Sequence, residues 1–109
     1  MNHGKRSLTL DLKDARGKDA LSRLIERGDV LVENLRPGEL ERIGFGPEAA
    51  RRSNPRLIYA SVSGWGQTGN QASRAGYDQV IQASTGMMMM QGEAGTPPMK
   101  IGFPAIDIA

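Results

Sequence analysis

Cysteine is absent from the sequence, and histidine occurs once, as His3 near its start. Without cysteine there is no disulfide, no thiolate nucleophile and no zinc-finger spacing. A serine triad would have to use His3, and the sequence contains no G-x-S-x-G elbow. The acidic residues have no metal-ligand spacing, so we expect no metal site. Thiolate and zinc-finger chemistry are therefore excluded, and a serine triad is disfavoured.

Long apolar runs, aromatic side chains and excess charge are also scarce. No apolar run approaches the ~18 residues that cross a membrane, and the residues after Met1 are polar and basic, unlike a signal peptide. Five aromatic residues and a net charge of +2 supply neither the stacking platforms nor the basic groove of a nucleic-acid-binding protein. We expect a cytoplasmic protein with no membrane and no nucleic-acid partner. At 109 residues it is at most one small domain or a piece of a larger one.

Four segments have the character of β-strands. Residues 7–12, SLTLDL, alternate apolar and polar side chains at period two. Residues 29–35, DVLVENL, have a continuous apolar centre, which is typical of a buried parallel strand. Two further strands are predicted at 56–65 and 101–106.

Helices are predicted between these strands. Leu21, Leu24 and Ile25 recur at helical spacing, and Gly28 is a stop signal for that helix. Further helices are predicted after the Pro-Gly turn, from Pro47 onward, and over 77–90 with a break at Gly86. Strands separated by helix-length segments predict an α/β fold with a mostly parallel sheet and flanking helices.

The segment GWGQTG, residues 64–69, fits the G-x-G-x-x-G pattern of dinucleotide binding and follows a predicted strand. That fingerprint also requires a helix to begin at once, because the helix N-terminus receives the pyrophosphate. Here NQASRAG follows, which is a poor helix former. We therefore interpret the segment as a glycine-rich loop. The run MMMM, residues 87–90, is interpreted as helix core or flexible apolar lining.

Asp107 is unusual because it follows a nearly uncharged run, GFPAI. The residues alone leave two interpretations, a turn residue at a strand end or a group used in chemistry. A carboxylate can act as a covalent nucleophile that divides one acyl transfer into two easier steps. A thioester is a suitable donor, since a thiolate leaves readily. Such an exchange needs no metal, ATP or redox cofactor.

Four blocks of sequence, at 2–46, 54–69, 76–86 and 97–107, follow one another with a characteristic spacing. Together they resemble the class III coenzyme A transferases, the CaiB/BaiF family, over the chain from Asn2 to Ala109. The resemblance implies a Rossmann-like large domain, an interlocked homodimer, and transfer of coenzyme A (CoA) from an acyl-CoA to a free carboxylic acid. CoA is then a substrate, and no cofactor is bound permanently. The resemblance also makes Asp107 the nucleophile, which forms a mixed anhydride and then an aspartyl-CoA thioester.

The same resemblance implies a set of CoA-binding residues. They are Leu10, Asp11, Leu12 and Lys13 in LDLK, Asn34, Leu35 and Arg36 in ENLRPG, Arg42 in LERIG, and Ala75, Gly76, Tyr77 and Asp78 in AGYD. The positive charges of Lys13 and Arg42 are suited to binding the phosphates of CoA. The chain departs from the family pattern at Leu35, where an aromatic residue is usual, and at Asn70, where many relatives have proline. Formyl-CoA transferase has a lysine at the position of Ala75, so formyl-CoA chemistry is not assigned.

Two alternatives remain open beside transfer. The family also contains α-methylacyl-CoA racemases, in which a histidine at the position of Tyr77 is paired with the aspartate at the position of Asp107. A phenol with a reference pKa near 10 is a poor substitute for that base, so Tyr77 favours transfer. The other alternative is a non-catalytic CoA- or nucleotide-binding fragment.

The family's proteins are several times longer than this chain, so we expect a partial large domain. The family's N-terminal unit, small domain and C-terminal part would be absent, and the chain alone would be weakly active or inactive. A core this small is marginal. The donor and acceptor acids are not assigned.

Overall fold

The computed structural model describes residues 2–108, and the chain forms two compact units that divide between Ser61 and Val62. The first unit contains α1 (Ala15–Arg27), β1 (Val30–Glu33), α2 (Glu39–Arg42), α3 (Pro47–Ser53) and β2 (Ile58–Ser61). The second contains α4 (Asp78–Ser84), a 3-10 helix (Met87–Met90) and α5 (Ala105–Ile108). Among the described residues no helix is both long and apolar enough to span a membrane.

The first unit is built on a parallel pair of strands. β1 pairs with β2 so that Val30 lies opposite Ile58 and Glu33 lies opposite Ser61. Parallel strands need a crossover connection, and α2 and α3 supply it here. The α/β class and the parallel sheet predicted from the sequence are therefore confirmed, with strands shorter than expected.

Helix α1 begins and ends close to where the sequence predicts. The Asp14 carboxylate accepts the Arg16 backbone N–H at 2.8 Å, which satisfies one of the free donors of the first turn. Bonding to the Arg16 side chain, and then to its backbone, lowers the pKa of the Asp14 carboxyl. The helix ends at Arg27 with Gly28 as its C-cap. Ile25 is buried as expected, whereas Leu24 is 51% exposed and does not join the core.

The core of the first unit lies between the helices and the sheet. Ile25, Ala50 and Leu57 are buried together, and partly buried apolar side chains pack around them: Leu21, Leu31, Phe45 and Tyr59. The Tyr59 hydroxyl donates to the Phe45 carbonyl at 3.1 Å. Burial of the ring, and next the nearby Glu33 and Glu41 carboxylates, raise the pKa of Tyr59.

Two predicted strands are wrong. Residues 7–12 form no strand. The sheet of the described residues contains only β1 and β2, so this segment has no neighbouring strand to pair with. Residues 101–104 are a loop, and residues 105–106 already belong to α5. The backbone N–H groups of Ile101 and Ile106 are bonded to side chains of α4 and not to a neighbouring strand.

The prediction that β1 is buried on both faces is also wrong for this chain. Val30 is 52% exposed and Val32 is 65% exposed, while Leu31 packs against the core. One face of β1 is covered by the helices of the first unit, and the face that carries Val30 and Val32 is open.

The second unit opens with the polar loop that the sequence predicts. No helix begins between Gly69 and Tyr77, so the interpretation of GWGQTG as a loop is confirmed. The Trp65 indole N–H donates to the Ala75 carbonyl at 3.1 Å. Helix α4 ends before Gly86, whose φ of +76° marks the predicted break. Met89 and Met90 are 72% and 85% exposed, so they are not helix core.

Candidate active site

A cavity of about 340 Å³ lies in the second unit between the start of α4 and the segment that leads into α5. Its lining comprises Tyr77, Asp78, Gln79, Lys100, Ile101, Gly102, Phe103, Pro104 and Asp107. Three residues that the family resemblance nominated, Tyr77, Asp78 and Asp107, therefore line the same cavity. This grouping makes the cavity the candidate active site.

Asp107 lies in α5 with an exposed side chain. Because residues 101–106 form no strand, Asp107 is not a turn acid at a strand end. Within residues 2–108, no hydrogen bond or ion pair engages its carboxylate. The oxygens of Asp107 are thus open to a molecule in the cavity, as a nucleophile requires.

Asp78 is bonded through both of its carboxylate oxygens. Oδ1 accepts the backbone N–H of Ile106 at 2.8 Å. Oδ2 accepts the side-chain amide of Gln82, one helical turn further along α4, at 2.7 Å. The other end of that amide, Oε1 of Gln82, accepts the backbone N–H of Ile101 at 2.9 Å. Asp78 and Gln82 together bind both ends of the segment that precedes Asp107.

Gln82 and Lys100 are the site residues that the sequence reasoning missed. Gln82 has no exposed surface, and its i, i+4 spacing from Asp78 was the available signal. Lys100 lies in the sequence close to Asp107, and within the described part of the chain it is the cationic residue on the cavity wall. Its charge suits a cavity whose proposed ligands include carboxylates.

Tyr77 precedes α4 as its N-cap, and its side chain is 68% exposed. Its backbone carbonyl accepts the N–H groups of Val80 and Ile81, so the phenol has no part in holding the helix. Ala75 contributes its carbonyl to the Trp65 indole. Gly76 lies against the backbone of Gly64.

The remaining predicted CoA residues belong to the first unit. Leu10 and Leu12 are partly buried, whereas Asp11 and Lys13 are exposed, and the Asp11 carboxylate accepts the Lys13 backbone N–H at 2.9 Å. Asn34, Leu35 and Arg36 follow β1 and are exposed. The Arg42 guanidinium is bonded to the Glu39 carboxylate at 2.7 Å. Arg42 would have to exchange that partner to bind a phosphate.

The described residues contain no cluster of three or more His, Cys, Asp or Glu side chains placed to hold a metal ion. What the cavity does present is an open carboxylate, a phenol, a lysine and a second carboxylate tied into the backbone. Asp107 can attack an electrophilic carbonyl, and its neighbours can orient a ligand.

Comparison with known proteins identifies the family of the chain. The model of CoA-transferase family III matches residues 1–109. The chain is 45% identical over 102 residues to the acetyl-CoA:oxalate CoA-transferase of Acetobacter aceti, an alignment that covers 94% of this chain and 26% of that protein. It is 47% identical over 98 residues to the alpha-methylacyl-CoA racemase of Homo sapiens, an alignment that covers 90% of this chain and 26% of that protein.

A solved structure has the same fold. The crystal structure of a CAIB/BAIF family protein from Brucella suis superposes with a TM-score of 0.91 at 42% identity, covering 95% of this chain and 28% of that one. The chain therefore spans about a quarter of the length of the curated relatives that it matches. Its parallel sheet and flanking helices are an α/β segment of the CaiB/BaiF domain. The chain belongs to CoA-transferase family III.

Proposed function

We propose that this chain carries the nucleophile of a CoA-transferase, in which Asp107 takes an acyl group from an acyl-CoA and CoA passes to a free carboxylic acid. The observation that supports this most directly is the open carboxylate of Asp107 on the wall of the cavity. Membership of CoA-transferase family III supplies the reaction class.

The reaction proceeds by acyl exchanges without oxidation or reduction. A carboxylate oxygen of Asp107 attacks the thioester carbonyl, CoA leaves as the thiolate, and a mixed anhydride forms. The thiolate then attacks the aspartyl carbonyl, which releases the donor acid and leaves an aspartyl-CoA thioester. The acceptor carboxylate attacks that thioester, CoA leaves again as the thiolate, and a second anhydride forms. The thiolate finally attacks the acceptor carbonyl, so acceptor acyl-CoA leaves and Asp107 is restored.

The roles of the other predicted residues are part of the proposal. Lys13 and Arg36 offer charges to the CoA phosphates, as does Arg42 once it releases Glu39. Apolar contact with CoA is assigned to Leu10, Leu12 and Leu35. A homodimer, a cytoplasmic location and a partial large domain remain predictions from the family resemblance.

Racemisation is the second candidate, because the chain is 47% identical to the human racemase over the matched segment. It requires a base that removes the α-proton of a 2-methylacyl-CoA. A tyrosine at position 77 disfavours that step at neutral pH. Exchange of the α-proton into deuterated water is the assay that separates racemisation from transfer.

The test traps the covalent intermediate. The chain is incubated with a panel of acyl-CoAs and quenched with hydroxylamine, and mass spectrometry searches for a hydroxamate on the peptide that contains Asp107. The same measurement is made on a chimera in which this chain replaces the matching 102-residue segment of the Acetobacter aceti transferase. Asp107→Asn is the control, and we expect it to abolish the adduct.

An adduct on Asp107 in the chimera identifies the nucleophile and the accepted donors. We expect the 109-residue chain alone to give little adduct, so clean turnover by it contradicts the fragment prediction. If neither form is modified, covalent transfer is rejected. Racemisation or CoA binding without chemistry then remains.

A further inference from the structure

Gln82 is a wholly buried polar side chain that bonds Asp78 and the segment leading to the candidate nucleophile. Its side chain has no solvent-exposed surface, and a buried amide is costly unless its donors and acceptors are bonded. Within the described residues no buried side-chain polar atom lacks a hydrogen-bond partner. The amide of Gln82 is bonded at both ends, to Asp78 and to Ile101.

These bonds form one continuous path of three. It runs from the Ile101 N–H to Oε1 of Gln82, from Nε2 of Gln82 to Oδ2 of Asp78, and from Oδ1 of Asp78 back to the Ile106 N–H. We call this path the 78–82 relay. The path passes through helix α4, which carries both side chains and is itself fixed by packing of the buried Ile81. It ends on Ile106, the residue before Asp107.

We propose that Asp78 and Gln82 are positioning residues that hold the 101–106 segment so that the Asp107 carboxylate faces the cavity. The inference rests on the proposed function, in which Asp107 is the nucleophile. It changes the role of Asp78, which the family resemblance places among the CoA contacts. Both oxygens of Asp78 already accept hydrogen bonds within the chain.

The direction of the donors makes the relay sensitive to single changes. In Asp78→Asn the new amide can still accept from Ile106, but its NH2 then faces the NH2 of Gln82. If the amide of Gln82 rotates by 180° to avoid this, its NH2 faces the Ile101 N–H, and two donors again oppose each other. In Gln82→Glu a carboxylate faces the Asp78 carboxylate, and the like charges repel. Asp78→Asn therefore loses a bond, and Gln82→Glu loses one while both carboxylates are ionised.

The double variant Asp78→Asn with Gln82→Glu again matches every donor with an acceptor. The amide NH2 introduced at position 78 donates to the carboxylate introduced at position 82. The other oxygen of that carboxylate accepts from Ile101, and the amide oxygen at position 78 accepts from Ile106. The net charge is that of the wild type, because one carboxylate is removed and one is added. A double-mutant cycle on these two positions therefore isolates the relay.

The experiment measures two quantities on the wild type, both single variants and the double variant. The first is hydrogen exchange of the Ile101 and Ile106 amides in the 109-residue chain. The second is the rate of Asp107 acylation against acyl-CoA concentration, in the chain or in the chimera, whichever gives the wild-type adduct. Gln71→Glu is the matched control, since it makes the same chemical change at an exposed residue of the second unit.

We expect each single variant to speed exchange at Ile101 and Ile106 and to slow acylation at saturating acyl-CoA by about 10- to 100-fold. The half-saturating acyl-CoA concentration should stay unchanged, because the inference gives Asp78 and Gln82 no contact with CoA. The double variant recovers roughly fivefold or more in acylation rate over each single variant. Gln71→Glu behaves as wild type.

Several results overturn the inference. One is acylation at the wild-type rate by both single variants, although their Ile101 and Ile106 amides exchange faster than in the wild type. Another is a raised half-saturating concentration in Asp78→Asn alone, which would mark Asp78 as a CoA contact. The single variants could fail to fold. In that case a double variant that also fails to fold counts against the relay, because its hydrogen bonds are matched again. An absent wild-type adduct rejects the proposed function, whereas amide exchange still decides whether the relay holds the segment.

Discussion

Gly64 and Gly76 bring two loops of the second unit into backbone contact. A Cβ built on Gly64 would lie 2.5 Å from the Cα of Gly76, and a Cβ built on Gly76 would lie 2.5 Å from the Cα of Gly64. Backbone atoms cannot rotate away as a flexible side chain does, so neither position accepts a larger residue without a shift. The first glycine of GWGQTG is therefore required for close packing next to Tyr77 and Asp78.

Replacing Gly64 by alanine should destabilise the second unit. We expect Gly64→Ala to lower the free energy of unfolding by about 1–3 kcal/mol, the usual cost of overpacking. Urea unfolding followed by the fluorescence of Trp65 measures the loss. Gly102→Ala is the control, since a Cβ there meets no atom within 4 Å. Equal stability of the two variants would show that the contact can relax freely.

At the scale of elements, Asn54 joins the ends of two helices of the first unit. It is the C-cap of α3, and its side-chain amide donates to the carbonyls of Ile25 at 3.0 Å and Gly28 at 2.8 Å. The Gly28 carbonyl lies just beyond the end of α1, where helical partners are lacking, whereas the Ile25 carbonyl also accepts the Gly28 backbone N–H at 3.3 Å. From the end of α3, the side chain of Asn54 thus donates hydrogen bonds to backbone carbonyls at the end of α1.

Removing this amide should loosen the packing of α1 on α3. We expect Asn54→Ala to lower the free energy of unfolding by about 1–3 kcal/mol, because the Gly28 carbonyl loses its side-chain donor and the Ile25 carbonyl keeps only the Gly28 N–H. Asn54→Asp should cost at least as much at pH 7, since a carboxylate cannot donate. Thermal unfolding followed by circular dichroism measures both. Ser53→Ala, at an exposed residue of the same helix, should change little, and a loss as large as that of Asn54→Ala would contradict the assignment.

The sequence predicts helices better than strands in this chain, for a physical reason. The stop at Gly28 and the proline at the start of α3 are local signals, and α1 ends and α3 begins where they indicate. A strand needs a partner, so the alternation at 7–12 and the apolar run at 101–106 were insufficient. In the site, the family resemblance nominated Tyr77, Asp78 and Asp107, which share the cavity. Gln82 was not nominated, because its bond to Ile101 spans a distance in sequence that only the fold closes.

The whole chain exposes more surface than its mass requires. Its accessible area is 8711 Å², whereas a compact monomer of 11.8 kDa exposes about 5,900 Å². Even two separate compact bodies of half that mass would expose only about 7,100 Å². Val30 and Val32 on β1 and Ile58 on β2 are among the exposed apolar residues. Since the curated relatives are about four times as long, we expect this sheet face to be covered in the chimera.

A charge placed on that face tests whether it is covered. We expect Val32→Lys to change the stability of the 109-residue chain by less than about 0.5 kcal/mol, because Val32 is already 65% exposed. In the chimera the same substitution should cost about 2 kcal/mol or more, because an unpaired lysine would be buried. Urea unfolding of both proteins provides the comparison, and Ser53→Lys on the exposed face of α3 should be nearly neutral in each. An equal effect of Val32→Lys in the chain and the chimera would mean that the open face of β1 is a surface in both, and the excess area would then need another explanation.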